Sequence, residues 1–361
     1  MNILIITCWG GMAGSTNSIS YLSRGLAERG HNVYVGCPEG SLLYNLLEDS
    51  KAILVPMKFK GKLDLDNMRH IRDLVKEHNI QLINAQASYD RYTVGFAKWL
   101  YNLPVKIIHT RRQKPESIGG FLQNWFYTKS PDKIVAVGHE IKKQLVQKGL
   151  PESHIEVIYN GTPAEKYELK NPEISQELRK RYDIHKDEVV IGVVSRKKQQ
   201  SHLLSALQYI EQPLTVLLAG VEEFPEYKAI TDKYEVPHHI IYAGKVDAKE
   251  ILYFYDLFTI KVLASNMEGL SQSLLEAMAL GVPVIGTRAA GNIDLIEEGV
   301  NGLFFEEGDA VQLAKQIERL LKDKELQDRL IANGRKTAFE DFSIEKVIDN
   351  YERFFREQIE G

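Results

Sequence analysis

The 361 residues include 44% hydrophobic and 26% charged side chains and carry a net charge of −4, the balance of a globular chain long enough for two domains. The two cysteines, Cys8 and Cys37, have no ligand spacing, which argues against a zinc site or a disulfide framework and fits a reducing, cytoplasmic compartment. No run reaches the roughly 18 apolar residues of a membrane helix, and the opening MNILIITCWGG lacks the cationic region of a signal peptide. In chain order, residues 2–7 (NILIIT) form a short apolar run followed by Gly10, Gly11 and Gly14. An amphipathic stretch from about Ser15 to Arg29, apolar at Ile19, Leu22 and Leu26, is stopped by Gly30. Strand-like runs follow at HNVYVG and at 52–56, 80–85, 105–110, 133–137 and 155–159, with helical stretches between them. Residues 161–187 are charged and contain two prolines, the composition of a linker and connecting helix. The alternation restarts at 188–194, 213–220, 238–244 and 283–287. The last 50 residues read as helical, and the final helix, from about Ser343 to Ile359, aligns Val347, Ile348, Tyr351, Phe354 and Phe355 on one face.

Continuous apolar strands alternating with helices predict parallel sheets covered on both faces. The expected fold is α/β, with two doubly wound, Rossmann-like domains facing a cleft. Residues 1–165 form the first domain, 166–187 the linker and 188–342 the second, and helix 343–361 returns to the first. Ligands in such sheets bind outside the carboxyl ends of the strands. Charge is divided unevenly: residues 1–165 carry a net +5 and the remainder −9. That asymmetry fits an anionic partner for the first half, membrane lipid or a phosphorylated acceptor, or equally an accident of surface composition. Without a dense basic stripe or a binding signature, nucleic acid is not an expected partner.

The most informative segment is SNMEGLSQSLLEAMALGVPVIGT, residues 265–287. Glu268 and Gly269 precede a small polar stretch that reads as a helix start, and Glu276 lies inside the helix. Unpaired amides at a helix N-terminus suit a diphosphate, and carboxylates accept hydrogen bonds from sugar hydroxyls. Taken alone, two such glutamates are equally the charges of a solvated helix. In context, Glu268, Gly269, Glu276, Ala277, Met278, Ala279, Gly281, Pro283 and Val284 resemble the donor-binding signature of glycosyltransferase family 4, retaining enzymes of the GT-B fold. LSRGLAERGHNVYV, VAVGHEIKKQLVQKG and VIYNGT extend the resemblance over nearly the whole chain.

The resemblance implies that Glu276 holds ribose hydroxyls, that Glu268 lies near the transferred sugar, and that amides around Leu270 and Ser271 contact sugar and diphosphate. In VVSRKKQQSHLL, Arg196 matches the family arginine and Lys198 best matches its lysine, with Lys197 as the alternative. Such cations neutralise a leaving diphosphate without a metal. Gly291 and its loop shape the donor pocket, the base lies near Gly244, Lys245 and Val246, and Gly11 and Gly14 belong to the family's opening loop. For the acceptor side, His109 is either a cleft residue near the reacting sugar or a packed strand histidine, with Arg112 competing for the same position. Asp90 either meets acceptor hydroxyls or caps the helix that follows. Arg111, Arg112 and Lys114 either hold an anionic acceptor or form a solvated basic loop. FLQNWFYTK, residues 121–129, either presses on a membrane interface bearing a lipid-linked acceptor or buries its aromatics as a helix face. The expected activity is retaining transfer of a sugar from a UDP- or GDP-sugar to an acceptor hydroxyl in surface polysaccharide or glycolipid assembly. No cofactor and no metal are expected, and the place of action is cytoplasmic or peripheral at the inner face of a membrane. A sugar-nucleotide epimerase of the same fold and a non-catalytic two-lobed binding protein are the alternatives.

Overall fold

A computed structural model describes residues 1–11, 14–112, 120–247, 249–266 and 270–361. The chain divides into two compact units, Met1–Pro163 with Phe342–Gly361, and Ala164–Asp341. The first unit holds β1 (Asn2–Ile6), β2 (Asn32–Cys37), β3 (Ile53–Pro56), β4 (Leu82–Ala85), β5 (Lys106–Arg111), β6 (Lys133–Ala136) and β7 (Ile155–Val157). They form one parallel sheet in the order β3-β2-β1-β4-β5-β6-β7. Ile3 pairs with Val33 on one side and Leu82 on the other, so the strand order reverses beside β1, where doubly wound sheets bind ligands.

Both faces of this sheet are covered, which is why its strands read as unbroken apolar runs. Ile3, Ile5, Val33 and Val35 pack with Ile19, Leu22 and Leu26 of the Gly14–Glu28 helix and with Val347, Ile348, Tyr351 and Phe355 of the Ile344–Glu360 helix. On the other face, Leu4, Ile6 and Ile83 pack with Met68, Ile71 and Val94. The last helix therefore returns to the first unit's core, and each fully buried large side chain contributes about 1.5–3 kcal/mol. Gly25 permits that return: a Cβ there would lie 2.0 Å from the tip of Ile348. Ser343 caps the returning helix at the amide of Lys346, and Thr162 N donates to Phe342 O.

The second unit holds β8 (Val190–Val194), β9 (Thr215–Ala219), β10 (His239–Gly244), β11 (Ile260–Leu263), β12 (Val284–Thr287) and β13 (Leu303–Phe305). Their order is β10-β9-β8-β11-β12-β13, again all parallel. Two of these strands were not among the runs expected from sequence. β13 is only three residues long, and β11 has Lys261 in the middle of its apolar run. β11 is also the strand beside which the order reverses. The expected linker, 166–187, is structured and packs within the second unit. Ala164–Tyr167 form a short 3-10 turn and Pro172–Arg181 a helix capped by Asn171. The Asn171 amide donates to Tyr253 Oη, and Arg181 pairs with Glu250.

Candidate active site

The carboxyl ends of β8 and β11 emerge side by side where the second sheet's order reverses, the position at which such sheets hold nucleotides. The loop after β8 carries Arg196 and Lys198. Buried Gln200 shapes it: its side-chain amide donates to Ser195 Oγ and Arg196 O, both at 2.9 Å, and its carbonyl accepts from Lys198 N and from Tyr227 Oη. Gly220, after β9, makes room for this loop; its φ is +91°, and a Cβ would lie 2.6 Å from Ser195 O. Lys197, the sequence alternative to Lys198, is committed elsewhere, paired with Glu226 and set 3.7 Å over the Phe224 ring. Arg196 is exposed. Half-buried Lys198 is pushed down to about 8, first by burial and then by the charge of Arg196.

The loops after β11 and β12 are tied to this one. Gln199 N donates to Ala264 O, Ser265 N donates to Thr287 Oγ1, and buried Asn292 donates to Thr287 O and Ser265 O. Gly291 is buried in the Ala290–Asn292 turn beside Asn292. Glu268 and Gly269 lie outside the described residues. Leu270 and Ser271 are buried, and Ser271 is the N-cap residue of the Gln272–Ala279 helix. Glu276 lies on that helix with its side chain 12% exposed. One carboxylate oxygen accepts from Lys166 Nζ at 2.7 Å and the other from Tyr255 Oη at 2.9 Å. At the end of β10, Gly244 adopts φ +59° and its carbonyl accepts from Gly220 N at 2.8 Å. Lys245 beside it is exposed and Val246 half-buried. Arg196, Lys198, Leu270, Ser271, Glu276 and Gly291 thus follow the adjacent strands β8, β11 and β12, whereas Gly244–Val246 lie two strands away from β8, on the sheet's edge.

Sequence reasoning missed Lys261. It is fully buried on β11 and donates to Val262 O at 2.7 Å. Burial lowers it to about 7, helped by the charge of Lys198 and opposed by Glu276. Between about 7 and the usual 10.5 the unfolded chain binds more protons than the folded one, so stability rises with pH across that window. Lys261→Met removes the burial cost of the ammonium. The variant should melt higher than the parent at about pH 6, with the gain shrinking at about pH 9; an equal gain at both would contradict this account.

In the first unit the carboxyl edge is a polar lattice. Asp90 is buried, and its carboxylate accepts from the amides of Cys8, Gln86 and Ala87 at 3.2, 2.7 and 2.7 Å. These bonds cap the helix that follows and join the ends of β1 and β4. Burial raises its pKa, opposed by the amides. Arg112 donates to Gln86 Oε1, and Gln86 to Asn84 Oδ1. Asn84 donates to Thr110 Oγ1, and Arg91 to Thr110 O. Arg111 lies 5.5 Å from the Tyr127 ring centroid and Arg91 6.0 Å from the same ring. Burial, then the charge of Arg91, lowers Arg111 to about 10.

His109 is fully buried mid-strand, stacked on Phe126 and edge-on to Tyr127, and neither ring nitrogen has a hydrogen-bond partner among the described residues. Burial, then Arg91 and Arg111, hold its pKa well below 6.5. It is a neutral histidine packed among aromatic rings within its strand. Gly11 is exposed after β1 and its carbonyl accepts from Thr16 Oγ1; Gly14 begins the first helix. Lys114 lies outside the described residues. Among the described residues no three potential ligands gather as a metal site.

Residues 12–166 match the family profile of Glycosyltransferase Family 4, and residues 174–337 match that of Glycosyl transferases group 1. Two such halves in this order, each on a parallel sheet, define a GT-B-fold glycosyltransferase. The chain is a GT-B-fold glycosyltransferase related to the family 4 and group 1 glycosyltransferases. It is 25% identical to the N-acetyl-alpha-D-glucosaminyl L-malate synthase of Bacillus anthracis, over 97% of this chain and 95% of that one. It is 23% identical to the capsular polysaccharide biosynthesis glycosyltransferase CapM of Staphylococcus aureus, over 91% of each. The crystal structure of Anabaena HepE in complex with UDP superposes with a TM-score of 0.80 at 18% identity, covering 99% of this chain and all of that one.

Proposed function

We propose that this glycosyltransferase moves a sugar from a nucleoside diphosphate donor, UDP- or GDP-linked, to an acceptor hydroxyl with retained anomeric configuration, in surface polysaccharide or glycolipid assembly. The observation that carries the reading is the second unit's reversal point. There Arg196, Lys198, the helix start at Leu270 and Ser271, and Glu276 follow neighbouring strands. In this reading Glu276 takes the ribose hydroxyls, and the base lies toward Gly244, Lys245 and Val246. Arg196, Lys198 and the amides of Leu270 and Ser271 take the diphosphate, with Gly291 shaping the pocket wall and Glu268 and Gly269 beside the sugar.

The sugar–phosphate bond breaks as the acceptor oxygen bonds the same face of the anomeric carbon, and the hydroxyl proton passes to the departing phosphate oxygen. Fixed cations and amides stabilise the charge that develops there. Relatives named for glucosaminyl-malate synthesis and capsular polysaccharide assembly, and one bound to UDP, support this donor class. Proton NMR of the product tests the stereochemistry: retention is expected, and an inverted anomer would refute the reading.

On the acceptor side, Arg111 and Arg112 at the end of β5 favour an anionic or lipid-phosphate acceptor. Peripheral contact with the inner face of a membrane belongs to the same proposal. Phe126 and Tyr127 face the core, but Phe121, Leu122 and Trp125 are exposed beside Trp99 and Leu100, with the two indole rings 5.4 Å apart. Exposed aromatic and aliphatic groups of this kind insert at the headgroup level. No described helix is long and apolar enough to cross a membrane. The protein should sediment with anionic vesicles and Trp99→Ser/Trp125→Ser should lose about 10-fold in affinity; unchanged sedimentation of the variant would remove the contact.

A further inference from the structure

The Glu276 carboxylate is held by two donors that the sequence motif does not contain. Lys166, from the turn that opens the second unit, donates to one oxygen, and Tyr255, from the Ile251–Tyr255 helix, to the other. An ionised carboxylate offers about four acceptor positions, two on each oxygen. One donor on each oxygen fixes the group's rotation and, among the described residues, leaves one acceptor position free on each. Two free positions side by side match two adjacent hydroxyls of one ring. The Tyr255 hydroxyl is a dependable donor, because full burial and the neighbouring carboxylate hold its pKa well above 10.

Resting on the donor-site reading above, we propose that Lys166 and Tyr255 are positioning residues that present Glu276 to the vicinal diol of the donor's ribose. They thereby set discrimination against 2′-deoxynucleotides. Without the cradle the carboxylate can rotate, and a mobile acceptor loses the geometric match that a fixed one supplies.

The test is calorimetric binding of UDP, GDP and their 2′-deoxy counterparts to the 361-residue protein and to five variants: Tyr255→Phe, Lys166→Met, Lys166→Arg, Glu276→Ala and the double variant Lys166→Met/Glu276→Ala. The parent should prefer the ribonucleotide by about 10- to 100-fold. Tyr255→Phe and Lys166→Met should each weaken the ribonucleotide about 5- to 30-fold while leaving the deoxynucleotide nearly unchanged. Lys166→Arg should restore most of the preference. Adding Lys166→Met to Glu276→Ala should cost nothing further, because the lysine acts through the carboxylate. A merely structural role would weaken both nucleotides alike and persist in the Glu276→Ala background. Parental affinity and preference in Tyr255→Phe and Lys166→Met would overturn the proposal, as would tighter binding by Lys166→Met, which would make the lysine a blocker. Unchanged affinity in Glu276→Ala would instead remove the donor-site reading beneath it. Lys166 is about a third exposed, so its variants should fold even if loss of the buried tyrosine hydroxyl does not permit folding.

Discussion

Replacing Glu276 with alanine is expected to raise the dissociation constant for the nucleoside diphosphate about 100-fold, the loss of two charge-assisted hydrogen bonds. The side chain projects from the helix that follows β11, with its two oxygens already steered by Lys166 and Tyr255. Truncation removes the proposed acceptor of the ribose hydroxyls and also leaves the Tyr255 hydroxyl buried without its Glu276 partner. The second effect lowers stability, so melting of the free variant should accompany the titration. A variant that melts lower but binds UDP or GDP as the parent does would place the ribose elsewhere. Glu276→Gln separates the contributions. It keeps the shape and one acceptor oxygen but no charge, and its affinity should fall between parent and alanine.

Arg196→Ala is expected to reduce kcat about 100- to 1,000-fold, the usual cost of removing one fixed group that stabilises developing charge. Arg196 stands exposed on a loop fixed by Gln200 and Gly220, so its loss should leave the fold intact. Lys198 should show itself through pH. Its pKa is lowered to about 8, so the ammonium is present below that value and lost as pH rises through it. Donor kcat/KM should therefore fall above about 8. Bound diphosphate favours the charged form, so kcat should hold to higher pH than kcat/KM. Lys198→Arg, which stays charged, should remove the decline. A flat profile in the parent would assign the diphosphate to other groups.

The two-sheet architecture was legible because buried parallel strands are continuous apolar runs, and eleven such runs lie where strands form. β11 escaped because Lys261 breaks its run, and a lysine in a strand reads as a solvated edge residue unless its burial is known. The feature that hid the strand is the one that bears on the site. The motif around Glu276 identified the helix and its carboxylate. It contained nothing of Lys166 or Tyr255, which come from separate elements and meet the carboxylate only in the folded unit. Gln200 and Gly220 were illegible for a related reason: one acts through its side-chain amide on backbone two and four residues away and on the Ser195 hydroxyl, the other by the room its missing Cβ leaves. On the acceptor side, sequence left His109 and Asp90 each with two readings. In the fold His109 is enclosed by aromatic rings and Asp90 accepts from three amides, surroundings that sequence alone does not bring together.

Nucleotide release tests the central claim most directly. The 361-residue protein is incubated with a panel of UDP- and GDP-sugars, with and without lipid and cell-wall extracts, and free UDP or GDP is followed over time. Release from at least one donor, stimulated by an extract and lost in Arg196→Ala, is the predicted result. No release from any donor under any of these conditions would contradict the assignment of sugar transfer and favour a protein that only binds its ligand.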